Sequence, residues 1–330
     1  MKFLRLLAIT LVLAALAAAG ALAWWLNRPL PLAADSAEVS IEVGTSPRDI
    51  ALAWVQAGVR TSPRLLYEWF RWSGQARKIR AGSYEIGRDT TPMSLLNKMV
   101  RGDETLAVVR LIDGWTFRQF RAELAKADSL KPTTAMMTDA ELMAALGAPD
   151  VLPEGRFYPD TYAYSKGASD LAVLKRAHRA MQKRLAAAWA ERAPDSPLRS
   201  PDEALTLASI VEKETGVPAD RGKVAGVFIN RLKLGMPLQT DPSVIYGLGA
   251  NFDGNLRKRD LQADTPYNTY VRAGLPPTPI AMPGKASLLA AMRPDPTKAL
   301  YFVSRGDGSS EFSETLAAHN RAVNQYQRGK

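Results

Sequence analysis

With 330 residues, no cysteine and only two histidines, His178 and His319, the chain rules out several chemistries at once. Disulfides, thiolate metal sites, a Cys nucleophile and a lipid-modified Cys are excluded, and neither a metal site nor a cofactor is expected. The formal net charge is +10, but the basic residues are scattered without a run of five or six. Nucleic acid is therefore not expected, and for a chain outside the cytoplasmic membrane the expected anionic partners are lipid headgroups and a carboxylate-bearing wall polymer.

Lys2 and Arg5 precede an uncharged run from Leu6 to Leu26. At ~1.5 Å per residue that run is about 31 Å long, enough to cross a bilayer. Trp24 and Trp25 close it, where amphipathic rings favour the headgroup level. The pattern predicts a cytoplasmic tip (1–5), a transmembrane helix (6–26) and an extracytoplasmic remainder, that is, a single-pass protein of the inner (cytoplasmic) membrane. A cleaved signal peptide is the competing reading, because Ala17-Ala18-Ala19 and Ala21-Leu22-Ala23 resemble small-residue cleavage sites. The length of the run and the Trp pair favour a retained anchor.

Residues 27–37 are rich in Pro and Ala and read as a linker. Val39, Ile41 and Val43 then alternate with polar residues, as in a half-buried strand. Helical patterns follow over 47–57 and 63–72, each with Pro in its first turn, and Tyr84 and Ile86 mark a second strand. This order, within a predicted module over 38–103, resembles a LysM-type glycan-binding domain, with a plain spacer as the alternative. A helix over 91–101, an apolar strand over 106–112 and a helix from Thr116 with Phe117, Phe120 and Leu124 on one face come next. The Ala-, Met- and Thr-rich stretch 128–149 reads as helical.

From Leu152 the texture changes, within a predicted catalytic domain over 104–330. Long helical patterns over 171–192, 202–214 and 224–234 alternate with loops rich in Pro, Gly, Asn, Asp and Tyr, where binding chemistry tends to lie. Strands near 300–304 and 311–313 flank the turn-prone Gly306-Asp307-Gly308. His178, on a long polar helix, reads as solvated, and His319 as a packing or capping residue. The fold class is therefore α+β: an N-terminal membrane helix, a small α+β module and a helix-rich domain with short sheets.

The sharpest chemical signal is Leu207-Ala208-Ser209-Ile210-Val211-Glu212-Lys213-Glu214-Thr215-Gly216. A helix apolar almost all round belongs in a core, and a carboxylate there needs a partner or keeps its proton. A carboxylic acid still protonated near neutral pH is what glycosidic cleavage needs from its general acid. Periodicity does not choose between the two glutamates. Glu212 lies on the line through Leu205 and Ala208, and Glu214 on the line through Leu207 and Val211. Two residues apart on a helix, they point to nearly opposite sides, so at most one faces a given cleft.

Three loop stretches supply aromatic faces, amides and hydroxyls suited to sugars. They are Glu154 to Tyr162, Leu238-Gln239-Thr240-Asp241-Pro242 onward to Gly247, and Thr265-Pro266-Tyr267-Asn268-Thr269-Tyr270 with Gly274 to Pro277 and Ile280 to Gly284. Turn shaping and half-buried packing are the bland alternatives. Together with Val227-Phe228-Ile229-Asn230-Arg231-Leu232, these stretches resemble the MltG (YceG-like) family of endolytic murein transglycosylases over nearly the whole chain. One departure is Thr278-Pro279, where the family usually has Gly beside the Pro pair.

The resemblance implies that Glu214 is the essential acid and that the substrate is the peptidoglycan glycan strand, with a peptidoglycan synthase as an associated partner. It implies a lyase that cuts the MurNAc–GlcNAc bond internally and leaves 1,6-anhydroMurNAc ends. Gln239, Thr240, Asp241, Tyr267, Asn268 and Glu154 are the expected substrate contacts, with Asp241 in a positioning role. A non-catalytic glycan-binding scaffold and a muramidase-type hydrolase are the alternatives.

Overall fold

The computed structural model describes residues 2–328. Its first compact unit runs to Val108 and takes in 128–130 and 163–168. It begins with α1 (Lys2–Asn27), continues through β1 (Ser36–Ile41), α2 (Pro47–Gln56), α3 (Pro63–Trp72), β2 (Gly82–Gly87) and α4 (Pro92–Arg101), and reaches β3 (Leu106–Leu111). Within α1, Arg5–Asn27 has a mean hydropathy of 2.5 and is long and apolar enough to cross a membrane. That fits either an anchor or a signal sequence.

Strand, helix, helix and strand follow in the predicted order. β1 and β2 pair antiparallel with Val39 opposite Tyr84, and Ala37, Val39 and Ile41 face inward. Pro at the first helical positions of α2, α3 and α4 costs no hydrogen bond, since those N–H groups have no helical partner. Trp54, Phe70, Tyr84, Leu95 and Met99 fill the core between sheet and helices. The strand stops at Ile41, leaving Val43, expected to face inward, 93% exposed before the Gly44 turn.

The stretch read as a linker is tied into this unit. Leu30 is buried in the same core and its N–H bonds the Thr90 carbonyl at 2.8 Å. Ala33 N–H donates to Gly58, and Arg60 N–H to Pro31, at 2.8 and 2.7 Å. Leu26, in the last turn of α1, is buried as well.

The second unit contains α5 (Phe117–Lys126), α6 (Asp139–Ala145), α7 (Asp170–Ala190), α8 (Pro201–Glu214), α9 (Pro218–Lys233), α10 (Asp241–Leu248), α11 (Lys258–Gln262), α12 (Lys285–Met292), a hairpin of β5 (Tyr301–Ser304) and β6 (Ser310–Ser313), and α13 (Leu316–Tyr326). Between α6 and α7 in the chain, β4 (Asp160–Ser165) pairs with β3. In the predicted helical stretch 128–149 only α6 forms, because a capping box of Thr138 and Glu141 starts a helix just there.

α8 is the axis of the unit. Every residue from Ala204 to Val211 is buried, against Met181 and Leu185 of α7, Val224 and Phe228 of α9 and Leu288 and Met292 of α12. Each large aliphatic side chain so buried contributes roughly 1.5–3 kcal/mol, so packing and not helix propensity fixes α8. His178, expected in solvent, is buried beside Phe157 with ring centres 5.7 Å apart. The 157–158 segment covers that side of α7, with Tyr158 N–H donating to the Ala177 carbonyl at 2.9 Å.

Candidate active site

α8 starts with Ser200, whose hydroxyl accepts from Glu203 N–H at 3.2 Å, followed by Pro201 and two acids in the first turn. It ends where Thr215 turns extended. The two glutamates of its last turn part company there. Glu212 Oε2 accepts from Gly284 N–H at 3.0 Å, at the start of α12. Glu214 Oε1 instead accepts a hydrogen bond from the Thr240 hydroxyl.

Glu214 opens into a cavity of about 590 Å³, lined also by Arg231, Gln239, Asp241, Tyr270, Tyr301 and His319. Burial pushes its carboxyl above the ordinary carboxylate range. The Thr240 hydroxyl and the Arg231 charge pull it back, and the Asp241 charge adds to the upward push. A carboxyl so placed can hold a proton and release it to an oxygen in the cavity.

The surrounding loop is held by named bonds. Arg231, buried at the end of α9, donates through Nε to the Leu300 carbonyl and through Nη1 to the Leu238 carbonyl, both at 2.7 Å. Gln239 takes a left-handed backbone, φ +52°, which costs an ordinary L-residue roughly 1–2 kcal/mol. Two bonds to Thr269 hold it there: Gln239 N–H to the carbonyl at 2.9 Å and Thr240 N–H to the hydroxyl at 3.0 Å. This turn delivers the Thr240 hydroxyl to Glu214. Tyr270 OH donates to Asp241 Oδ1 at 2.6 Å, and burial followed by that bond pushes its phenol upward.

Gln239, Thr240 and Asp241 are thus gathered around Glu214, and three other expected substrate contacts lie elsewhere. Asn268 is fully buried and lines neither cavity. Its amide donates to the carbonyls of Asp260, Leu261 and Ala263 and accepts from Tyr270 N–H at 2.9 Å, so it braces its own loop. Glu154 and Tyr267 line a second cavity of about 1190 Å³. There Glu154 accepts from Phe117 N–H at 3.0 Å and from Tyr246 OH at 3.1 Å, while Tyr267 OH lies 2.8 Å from the Thr278 hydroxyl.

Arg231, Tyr270, Tyr301 and His319 also line this cavity, although none is among the expected site residues. His319, read as a packing or capping residue, stacks on Tyr301 with ring centres 5.3 Å apart, and its buried Nδ1 has no partner among the described residues. Burial and then the Arg231 charge push it below the ordinary histidine range. The recoverable signal for Arg231 is a charged residue just after the buried run Val224–Ile229, at the close of the helix.

A profile of the YceG-like family matches residues 39–325. The endolytic murein transglycosylase of Bacillus subtilis (strain 168) is 32% identical, over 87% of this chain and 84% of the relative. That of Streptococcus pneumoniae serotype 2 (strain D39 / NCTC 7466) is 26% identical over 92% of this chain, which spans 61% of that relative's length. A crystal structure of a yceG-like protein from Listeria monocytogenes matches with a TM-score of 0.56 and 29% identity, over 87% of this chain and 98% of that one.

Proposed function

The chain belongs to the YceG-like family, and on that premise we propose that it is a membrane-anchored lytic transglycosylase cutting peptidoglycan strands internally, with Glu214 as its acid and base. Relatives named endolytic murein transglycosylases give the enzyme class, a lyase acting on murein. The single observation that carries the chemistry is the burial of Glu214 in a cavity, which raises its proton affinity.

In the proposed reaction Glu214 gives its proton to the oxygen linking MurNAc C1 to GlcNAc, and the C1–O bond breaks. The MurNAc acetamido carbonyl stabilises the charge developing at C1. Glu214, now a carboxylate, removes the proton of the MurNAc C6 hydroxyl as that oxygen bonds C1. The product carries a 1,6-anhydro ring and Glu214 is protonated again. The substrate supplies both nucleophiles, so no second protein carboxylate is required, in contrast to the usual glycosidase pair. Gln239 and Asp241 are proposed to position the sugar from the cavity wall, and Thr240 to position Glu214.

Asp241 in the same cavity favours one second reading, a hydrolase in which that carboxylate activates water. Digestion of purified peptidoglycan in oxygen-18 water, followed by mass spectrometry, separates the two. The transglycosylase gives anhydro ends without label, and Glu214→Gln lowers their release roughly 10²- to 10⁴-fold. Labelled reducing ends, or near-normal turnover by Glu214→Gln, would overturn the assignment.

The N-terminal helix supports placement in the inner membrane, with the enzyme outside the cytoplasm. The βααβ module is proposed as LysM-like and glycan-binding on the strength of its element order. A peptidoglycan synthase is the partner that the family resemblance suggests.

A further inference from the structure

The larger cavity, about 1190 Å³, has a composition unlike that of the Glu214 cavity. The two adjoin along the chain. Lys213 and Pro242 line the larger one, and their immediate neighbours Glu214 and Asp241 line the smaller. The backbone at 213–214 and 241–242 thus forms part of the wall of both cavities.

Leu152, Ile245 and Phe252 give part of its wall an apolar surface, beside polar and charged side chains. Arg118 and Lys213 are exposed and have no acidic partner among the described residues, whereas Arg121 is neutralised by Asp139 at 3.2 Å. Glu154, the other acid present, is enclosed by the Phe117 N–H and the Tyr246 hydroxyl. The cavity thus offers two uncompensated positive charges above apolar surface.

A sugar ring is poorly served here. The Tyr246 and Tyr267 hydroxyls are bound to Glu154 and Thr278, and their rings pack edge to face with centres 5.0 Å apart. Phe117 is stacked on Phe157. A short peptide with carboxylates and small apolar side chains matches the lining better.

We propose that this cavity binds the carboxylate-bearing stem peptide attached to the muramic sugar next to the bond cut at Glu214. The proposal rests on the peptidoglycan reading above. It makes the peptide a recognition element on the substrate, with Arg118 and Lys213 meeting its carboxylates and Phe252 and Ile245 its alanine side chains.

The test uses the full chain carrying Glu214→Gln and glycan oligosaccharides of one length, with and without stem peptides. Titration calorimetry is expected to show the peptide-bearing ligand bound about tenfold more tightly or better. Arg118→Glu and Phe252→Ala, each added to that background, are expected to reduce the peptide-dependent gain, with folding checked by circular dichroism. Equal affinity for both ligands, or variants that weaken both alike, would overturn the proposal, the latter result marking a saccharide subsite. Wild-type digestion of both ligands separates this outcome from the parent reading. Anhydro ends without peptide preference sink only the peptide site, and peptide preference without anhydro ends sinks only the lyase.

Discussion

Glu214 is governed by one hydroxyl and one strained turn. The Thr240 hydroxyl donates to its carboxylate and so favours the charged form, against the push of burial. Thr240→Val removes that donor and leaves the shape nearly unchanged, so the Glu214 carboxyl should hold its proton to higher pH. The alkaline limb of the pH–rate profile is expected to move upward, and a downward shift would contradict this account. Gln239 stands at φ +52°, a backbone that glycine adopts without penalty. Gln239→Gly should leave stability unchanged or raise it by about 1 kcal/mol in urea unfolding, while peptidoglycan cleavage falls because the cavity loses its amide. A stability loss with intact activity would show that the turn, and not the amide, matters. The Glu212–Glu214 tie was not decidable from sequence because spacing gives direction but not partners. The partners, Gly284 N–H and the Thr240 hydroxyl, lie 72 and 26 residues away.

Among the elements, α8 was the most legible and the loops around it the least. Eight successive buried residues leave a sequence trace that needs no partner to interpret. α9 begins at Pro218, six residues before its apolar pattern, because its first turns are polar and are fixed by tertiary bonds. Asp220, buried there, accepts from Ser310 N–H at 2.7 Å, a contact no local pattern reveals. The role of Arg231 is equally hidden from local pattern, its acceptors being the carbonyls of Leu238 and Leu300. The departure at Thr278-Pro279 has a structural counterpart. Gly155, at φ +79°, sits under Pro279, and a Cβ on it would approach the Pro279 Cβ to 2.5 Å. Gly155→Ala combines overpacking with an unfavourable backbone and should cost about 2–4 kcal/mol in denaturant unfolding. A cost below about 0.5 kcal/mol would mean that the 278–280 loop yields freely.

For the molecule as a whole, the buried Glu154 makes stability depend on pH. Glu154 is 7% exposed, and burial pushes its carboxyl up to about 7, against the bonds from Phe117 and Tyr246. The folded chain therefore keeps this proton at pH values where the unfolded chain has lost it. Native stability from this group is full below the ordinary carboxylate range and falls as pH rises from there through about 7. The eventual loss is on the order of 3 kcal/mol. Glu154→Gln stays neutral and retains an acceptor for Phe117 N–H. Thermal unfolding of the wild type should drop more steeply than that of the variant between about pH 5 and about pH 8.5. Parallel slopes would argue against a buried, titrating carboxyl.

The α+β class and the order of elements were readable because apolar periodicity reports which faces are covered. The fate of 27–37 was not, since Pro and Ala give the same composition to a loose tether and to a docked one. Leu26 and Leu30 show it docked. Peptidase trimming after Ala19 or Ala23 would leave both leucines on the mature chain, so processing and retention yield the same plugged module. A soluble version for crystallography should accordingly start ahead of Leu26. A cut placed at the sheet's first residue would strip two aliphatic stoppers from its hydrophobic interior and invite aggregation.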